Sequence, residues 1–190
     1  MAGADIAGRR PVLAVFASEQ GAGDPERASI MSVAGSLLAR RGAKIICLAN
    51  GPTLPVPLVT SARAAGGEVL IVADETTSIP PALAGVPVER IADEEERLQR
   101  VASLAQCFVG LPGSLASASD LYRAWVRAGG GDSRKPVVLL NRNRAFEPVW
   151  GMVADVVSHS VKRHDRVVVF TDNVEDIWNK VSWALGEVAG

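Results

Sequence analysis

Histidine and cysteine are scarce in this chain, and their scarcity excludes several chemistries at once. Only two histidines, His159 and His164, and two cysteines, Cys47 and Cys107, occur among 190 residues. They form no CxxC pair and no Cys/His cluster, so no metal site and no cofactor are expected. Each cysteine sits in an apolar run, KIICLA or AQCFVGL, which predicts a buried small hydrophobe rather than a reactive thiol. An excess of one charge is also missing. A formal net charge of -1 leaves no global field to draw the chain to nucleic acid or to anionic lipid, and the basic pairs Arg9-Arg10 and Arg40-Arg41 are too short to change that. No apolar run approaches membrane-spanning length, and the amino end, MAGADIAGRR, has no signal-peptide hydrophobic region. The expectation is a cytoplasmic protein with no membrane partner, in which residues 1–10 form a disordered tail and 11–190 a single domain.

What the chain does contain is a regular alternation. Short apolar, β-branched runs at 12–17, 44–49, 68–73, 87–91, 107–111, 136–140 and 166–171 alternate with longer segments of helical period. This is the signature of βαβ units, an α/β domain with a mostly parallel sheet of about seven strands. Local signals bound the helices. Asp24-Pro25 starts the first, which stops at Gly42, and Gly66-Gly67 ends the second, over 56–65. Asp93 caps a third, whose first turn Glu94-Glu95-Glu96 carries the charge a helix amino end favours. Its apolar stripe is Leu98, Val101, Ala102 and Ala105. Ser117 is read as opening a fourth helix, to Arg127 and Gly129-Gly130-Gly131. A fifth starts near Pro148 and a sixth near Val174, after Asp172-Asn173. Trp125, Trp150, Trp178 and Trp183 all fall on helices, where packing is the expected role. The stretch 74–85, rich in Thr, Pro and Ser, reads as a mobile flap.

In an open α/β sheet, ligands gather at the carboxyl edge of the strands, where helix amino ends present free N–H groups. The turn FASEQGAGDP has glycines at 21 and 23, but not at dinucleotide-fingerprint spacing. The turn ANGPTLPVP has one glycine, Gly51, and three prolines that remove backbone donors. The turn LPGSLASASDLYRAW is the most informative: Pro112-Gly113 makes a sharp exit, and small side chains follow. Those small residues allow close ligand approach or tight helix packing. Asp120 stands three residues after Ser117, which suits a capping box, and a ligand-facing carboxylate is equally open. Arg97 lies in the first turn of the third helix, where a cation opposes the dipole. It leans toward the sheet edge or pairs with Asp93.

Taken in order, VLAVFASEQGAGDP, SVAGSLLARRGAKII, SARAAGGEVLIV, AQCFVGLPGSLASASDLYRAW and KPVVLLNRNRAFEPV resemble the Lonely Guy (LOG), or lysine-decarboxylase-like, family from Val12 to Leu185. The resemblance implies a three-layer, doubly wound Rossmann-like domain, a homodimer built through helices, and a nucleotide site at the sheet edge. Active members of that family hydrolyse the N-glycosidic bond of nucleoside 5'-monophosphates such as cytokinin ribotides and AMP. The family's Pro-Gly-Gly-x-Gly-Thr-x-x-Glu turn reads here Pro112-Gly113-Ser114-Leu115-Ala116-Ser117-Ala118-Ser119-Asp120. Its arginine-lysine pair reads Arg97-Leu98. Its triple glycine falls at Leu48-Ala49-Asn50, with Gly51 as remnant, and its Gly-Ser-Ser at Ser18-Glu19-Gln20.

On this resemblance Arg97 and Asp120 stand at the catalytic positions. Ser18, Gly51, Pro112, Gly113, Ser114 and Ser117 stand at the ligand-binding ones. The lost glycines, the carboxylate of Glu19 and the shortened Asp120 all disfavour catalysis, since a displacement of roughly 1 Å can cost about 100-fold in rate. The expectation is a protein that binds a nucleotide or similar phosphorylated small molecule without efficient turnover. The alternatives are an active phosphoribohydrolase, or a molybdenum-cofactor carrier or scaffold, since relatives of this fold include such carriers.

Overall fold

The computed structural model describes residues 10–18, 25–50, 54–129, 135–152, 155 and 167–188. Among the described residues seven strands form one sheet: β1 Val12–Phe16, β2 Lys44–Ala49, β3 Glu68–Ala73, β4 Val88–Arg90, β5 Cys107–Gly110, β6 Val137–Leu140 and β7 Val168–Thr171. Their order is β4-β3-β2-β1-β5-β6-β7, and all six pairings are parallel. Among the described residues six α-helices connect and flank them: α1 Pro25–Arg40, α2 Val56–Ala64, α3 Glu94–Leu104, α4 Leu115–Arg127, α5 Glu147–Met152 and α6 Ile177–Val188. This is the parallel α/β sheet expected from the alternation of runs, in the doubly wound form that the resemblance implies.

The apolar runs are continuous because both faces of the sheet are covered. Side chains alternate between the two layers. Leu13, Val15, Ile45, Cys47 and Val109 pack with Met31 and Leu38 of α1, Leu58 of α2 and Val181 of α6. Ala14, Phe16, Ile46, Leu48 and Phe108 pack with Leu98 and Val101 of α3 and Leu121 and Trp125 of α4. Both cysteines are fully buried. Burial pushes the Cys47 thiol up to about 12, and it raises the Cys107 thiol as well.

Several local expectations are corrected. Strands β1, β4, β5, β6 and β7 are each shorter than their apolar runs, because only the residues facing a neighbouring strand enter the ladder. The fourth helix starts at Leu115, two residues before the expected opening at Ser117, with Ser114 as its N-cap. The sixth helix is preceded by a 3-10 turn, Val174–Asp176, capped by Asn173. The stretch 74–85 is pinned, not a free flap. One oxygen of Asp74 accepts from the amides and hydroxyls of both Thr76 and Thr77. Arg90 donates to the carbonyls of Asp74 and Thr77, and Leu83 is buried. These bonds, first those from the Thr76 hydroxyl, lower the Asp74 carboxyl to about 2. The Asp93 cap is as expected, its side chain accepting from the Glu96 amide at 2.9 Å. The expected residues 1–9, Asp24, Gly51 and the two histidines lie outside the described residues.

Candidate functional site

The chain leaves β1 toward α1 on one face of the sheet and leaves β5 toward α4 on the other, so the switch point at which open α/β sheets hold ligands lies between these adjacent strands at the carboxyl edge. Ser18 lies at the exit of β1 and is fully buried. Opposite it, Gly113 comes so close that a β-carbon there would stand 2.5 Å from Ser117 Oγ and 3.0 Å from the Ser18 amide nitrogen. The structure thus brings Ser18, Gly113, Ser114 and Ser117 together, with Pro112 leading into the turn.

The amino end of α4 is closed on itself. Ser114 Oγ accepts from the Ser117 amide at 3.2 Å, and Ser117 Oγ accepts from the Ser114 amide at 3.1 Å. Ser117 Oγ also donates to the Ser114 carbonyl at 2.9 Å. This capping box uses serine where the family motif has glycine and threonine, and it occupies donors that a phosphate would otherwise meet. The amides of Leu115 and Ala116 take no part in the box. Asp120 is therefore not the cap partner of Ser117.

Asp120 is instead drawn across the sheet edge. Its Oδ2 accepts from Asn50 Nδ2 at 3.2 Å, and Asn50 Oδ1 accepts from Arg97 Nε at 3.1 Å. Arg97 Nη1 in turn donates to the carbonyls of Ile91 and Ala92, each at 2.7 Å. The alternative pairing of Arg97 with Asp93 does not form; the guanidinium is buried and leans inward over the ends of β4 and β2. Three elements thus contribute one chain of bonds: α3 gives Arg97, the exit of β2 gives Asn50, and α4 gives Asp120. Asn50 was not singled out from sequence, and its only signal is a polar side chain where the family has glycine.

Arg123, one turn along α4, links this chain to the surface. It pairs with Glu94 at 2.6 Å and with Glu95 at 2.5 Å, and stands 4.0 Å from Asp120 Oδ1. Arg127 pairs with Glu95 as well. Burial raises the Asp120 carboxyl above the usual aspartate range, against the pull of the Asn50 amide and of Arg123, with Glu94 adding to the rise. The hydrogen bond from Arg123 holds the Glu94 carboxyl below its ordinary value.

Beside the site, α4 borders an apolar groove of about 330 Å³, lined by Leu115, Tyr122, Trp125, Leu139, Phe146 and Val149 among others. Leu115 is 88% exposed and Tyr122 53%. Among the described residues no three His, Cys, Asp or Glu side chains are grouped to hold a metal ion, and no helix is long and apolar enough to cross a membrane.

Fold and crevice together define an open, doubly wound α/β protein with its candidate site at the switch point of the sheet. The sequence model of the family described as possible lysine decarboxylase matches residues 60–181, and the chain belongs to this lysine-decarboxylase-like, LOG family. The molybdenum cofactor carrier protein of Chlamydomonas reinhardtii is similar in structure, with a TM-score of 0.67 at 16% identity over 93% of this chain and 99% of that one. The molybdenum cofactor binding protein of the phototrophic bacterium Rippkaea orientalis aligns with a TM-score of 0.67 at 14% identity, covering 93% and 98%. A structural-genomics target aligns at 0.66 and 17% identity, covering 92% and 99%. At these identities the likeness is one of fold. No protein with a curated description matches the sequence.

Proposed function

We propose that this chain is a binding member of the family, holding a nucleotide or similar phosphorylated small molecule in the β1/β5 crevice without efficient turnover. One observation carries the reading: both charged residues at the catalytic positions are already engaged. Arg97 is anchored on two backbone carbonyls and on Asn50, and Asp120 holds Asn50. Catalysis requires groups that bind the transition state more strongly than the ground state. Here the guanidinium would first have to break bonds made in the resting protein, and one of the two Asp120 oxygens is already committed to Asn50. The free amides of Leu115 and Ala116, at the positive end of α4, are the donors left for a phosphate. Among the structural neighbours, proteins named for carrying or binding the molybdenum cofactor lend support to a holding role. The same reading takes the chain as a cytoplasmic homodimer, with the exposed apolar face of α4 as the surface it buries.

Isothermal titration against nucleoside 5'-monophosphates and phosphosugars, alongside chromatography for released base, tests this. Binding of at least one of them with no base released is the expected result. Absence of binding to all of them would overturn it.

A second reading, an active nucleoside 5'-monophosphate phosphoribohydrolase, is favoured by one feature. A buried carboxylate, Asp120, stands at the glutamate position of the motif. In that reading Arg97 orients the substrate and Asp120 stabilises positive charge developing on the ribose. Base release that disappears in Asp120→Asn would place this reading first.

A further inference from the structure

We infer that Asn50 is the positioning residue of this site, its amide locked in one orientation by Arg97 so that it holds one oxygen of Asp120 and leaves the other for a hydrogen-bond donor on the ligand. A guanidinium only donates, so the Asn50 atom facing Arg97 Nε must be the carbonyl oxygen. The amide nitrogen is thereby turned to Asp120 Oδ2, where it can only donate. Asn50 therefore keeps the arginine and the carboxylate from pairing directly, a neutral spacer between opposite charges. A direct pair would occupy both oxygens; the spacer occupies one.

The other oxygen, Oδ1, has Arg123 at 4.0 Å, beyond hydrogen-bond reach. Among the described residues no fully buried side-chain oxygen or nitrogen lacks a partner, so Oδ1 keeps contact with the solvent side of the crevice. The charged groups that face Asp120 are Arg97 and Glu94 of α3 and Arg123 of its own helix. With Glu94 and Glu95 close by, that mouth favours an N–H or O–H group over an anion. This part of the ligand is the sugar hydroxyls or an amino-bearing ring, and any phosphate lies away from it. The ligand clause rests on the crevice reading above; the role of Asn50 does not.

The test is a carbon-13 carboxyl NMR titration of Asp120 in the full chain, beside a proton–nitrogen titration of the Asn50 side-chain amide. In the wild type the Asn50 amide should titrate with the midpoint of Asp120. Asn50→Ala removes a donor to the charged form and should raise that midpoint by about one unit. Asn50→Asp places a like charge there and should raise it further, while Arg10→Ala, remote from the site, leaves it in place. An Asn50 amide that ignores the Asp120 midpoint in the wild type overturns the inference, and this needs no variant to fold. An unmoved Asp120 midpoint in a folded Asn50→Ala does the same. Adenosine and AMP are then titrated separately. Failure of both to bind removes the nucleotide reading and leaves the Asn50 result standing. Binding that leaves the Asp120 resonance unshifted overturns the assignment of Oδ1 to the ligand.

Discussion

Gly113 and Ser18 face each other at the switch point of the sheet with no room for a methyl group between them: a β-carbon on Gly113 would lie 3.0 Å from the Ser18 nitrogen. The same atom would lie 2.5 Å from Ser117 Oγ, so Gly113→Ala must displace one half of the capping box. Overpacking of this kind costs typically 1–3 kcal/mol. Urea unfolding should show a loss of about that size, and an unchanged midpoint would mean the β1 exit yields freely.

The carboxyl of Asp120 makes stability pH-dependent in a direction that can be worked out. Its folded pKa lies above its unfolded value, so its contribution is fully present below the unfolded value, near 3.9. That contribution is lost as pH rises through the folded value. Asp120→Asn should therefore be more stable than the wild type at pH 7, and the gap should close as pH falls into the ordinary aspartate range. Thermal melts from pH 4 to pH 7 check this. A gap that widens toward low pH would contradict it.

Arg97→Lys keeps the charge and loses the fork. A lysine cannot serve Asn50 and the carbonyls of Ile91 and Ala92 in the geometry that Nε and Nη1 provide. Leaving a buried acceptor without its donor costs roughly 1–3 kcal/mol, and chemical denaturation should read a loss in that range. Full stability in the lysine variant would show that the guanidinium is not a strut.

How legible this was depended on the range of each interaction. The strands stood out because both faces of the sheet are covered, so whole runs such as KIICLA are apolar. The Asp93 cap stood out because its partner, Glu96, is three residues away. The start of α4 did not, because Ser114, Ser117 and Asp120 offer two overlapping boxes at one spacing. The tie is decided by Asn50, which arrives from the exit of β2, two strands from β5, and claims Asp120. Arg97 was recognisable as out of place against its helix dipole, but its partners come from the β4 exit and from Asn50, which no periodicity in α3 encodes.

The exposed apolar face of α4 leads to a prediction about assembly. If the homodimer proposed above buries Leu115, now 88% exposed, Leu115→Glu should shift the protein from dimer to monomer in light scattering while its circular dichroism stays the same. A wild type that is monomeric at all concentrations would rule out that role for the face.

The two thiols offer something else. Cys47 on β2 and Cys107 on β5 sit on the strands that flank β1, and neither presents any surface. A thiol reagent can reach them only when the middle of the sheet comes apart. Their rate of modification in native buffer is therefore a built-in clock for how often the whole domain opens, indifferent to fraying at its edges.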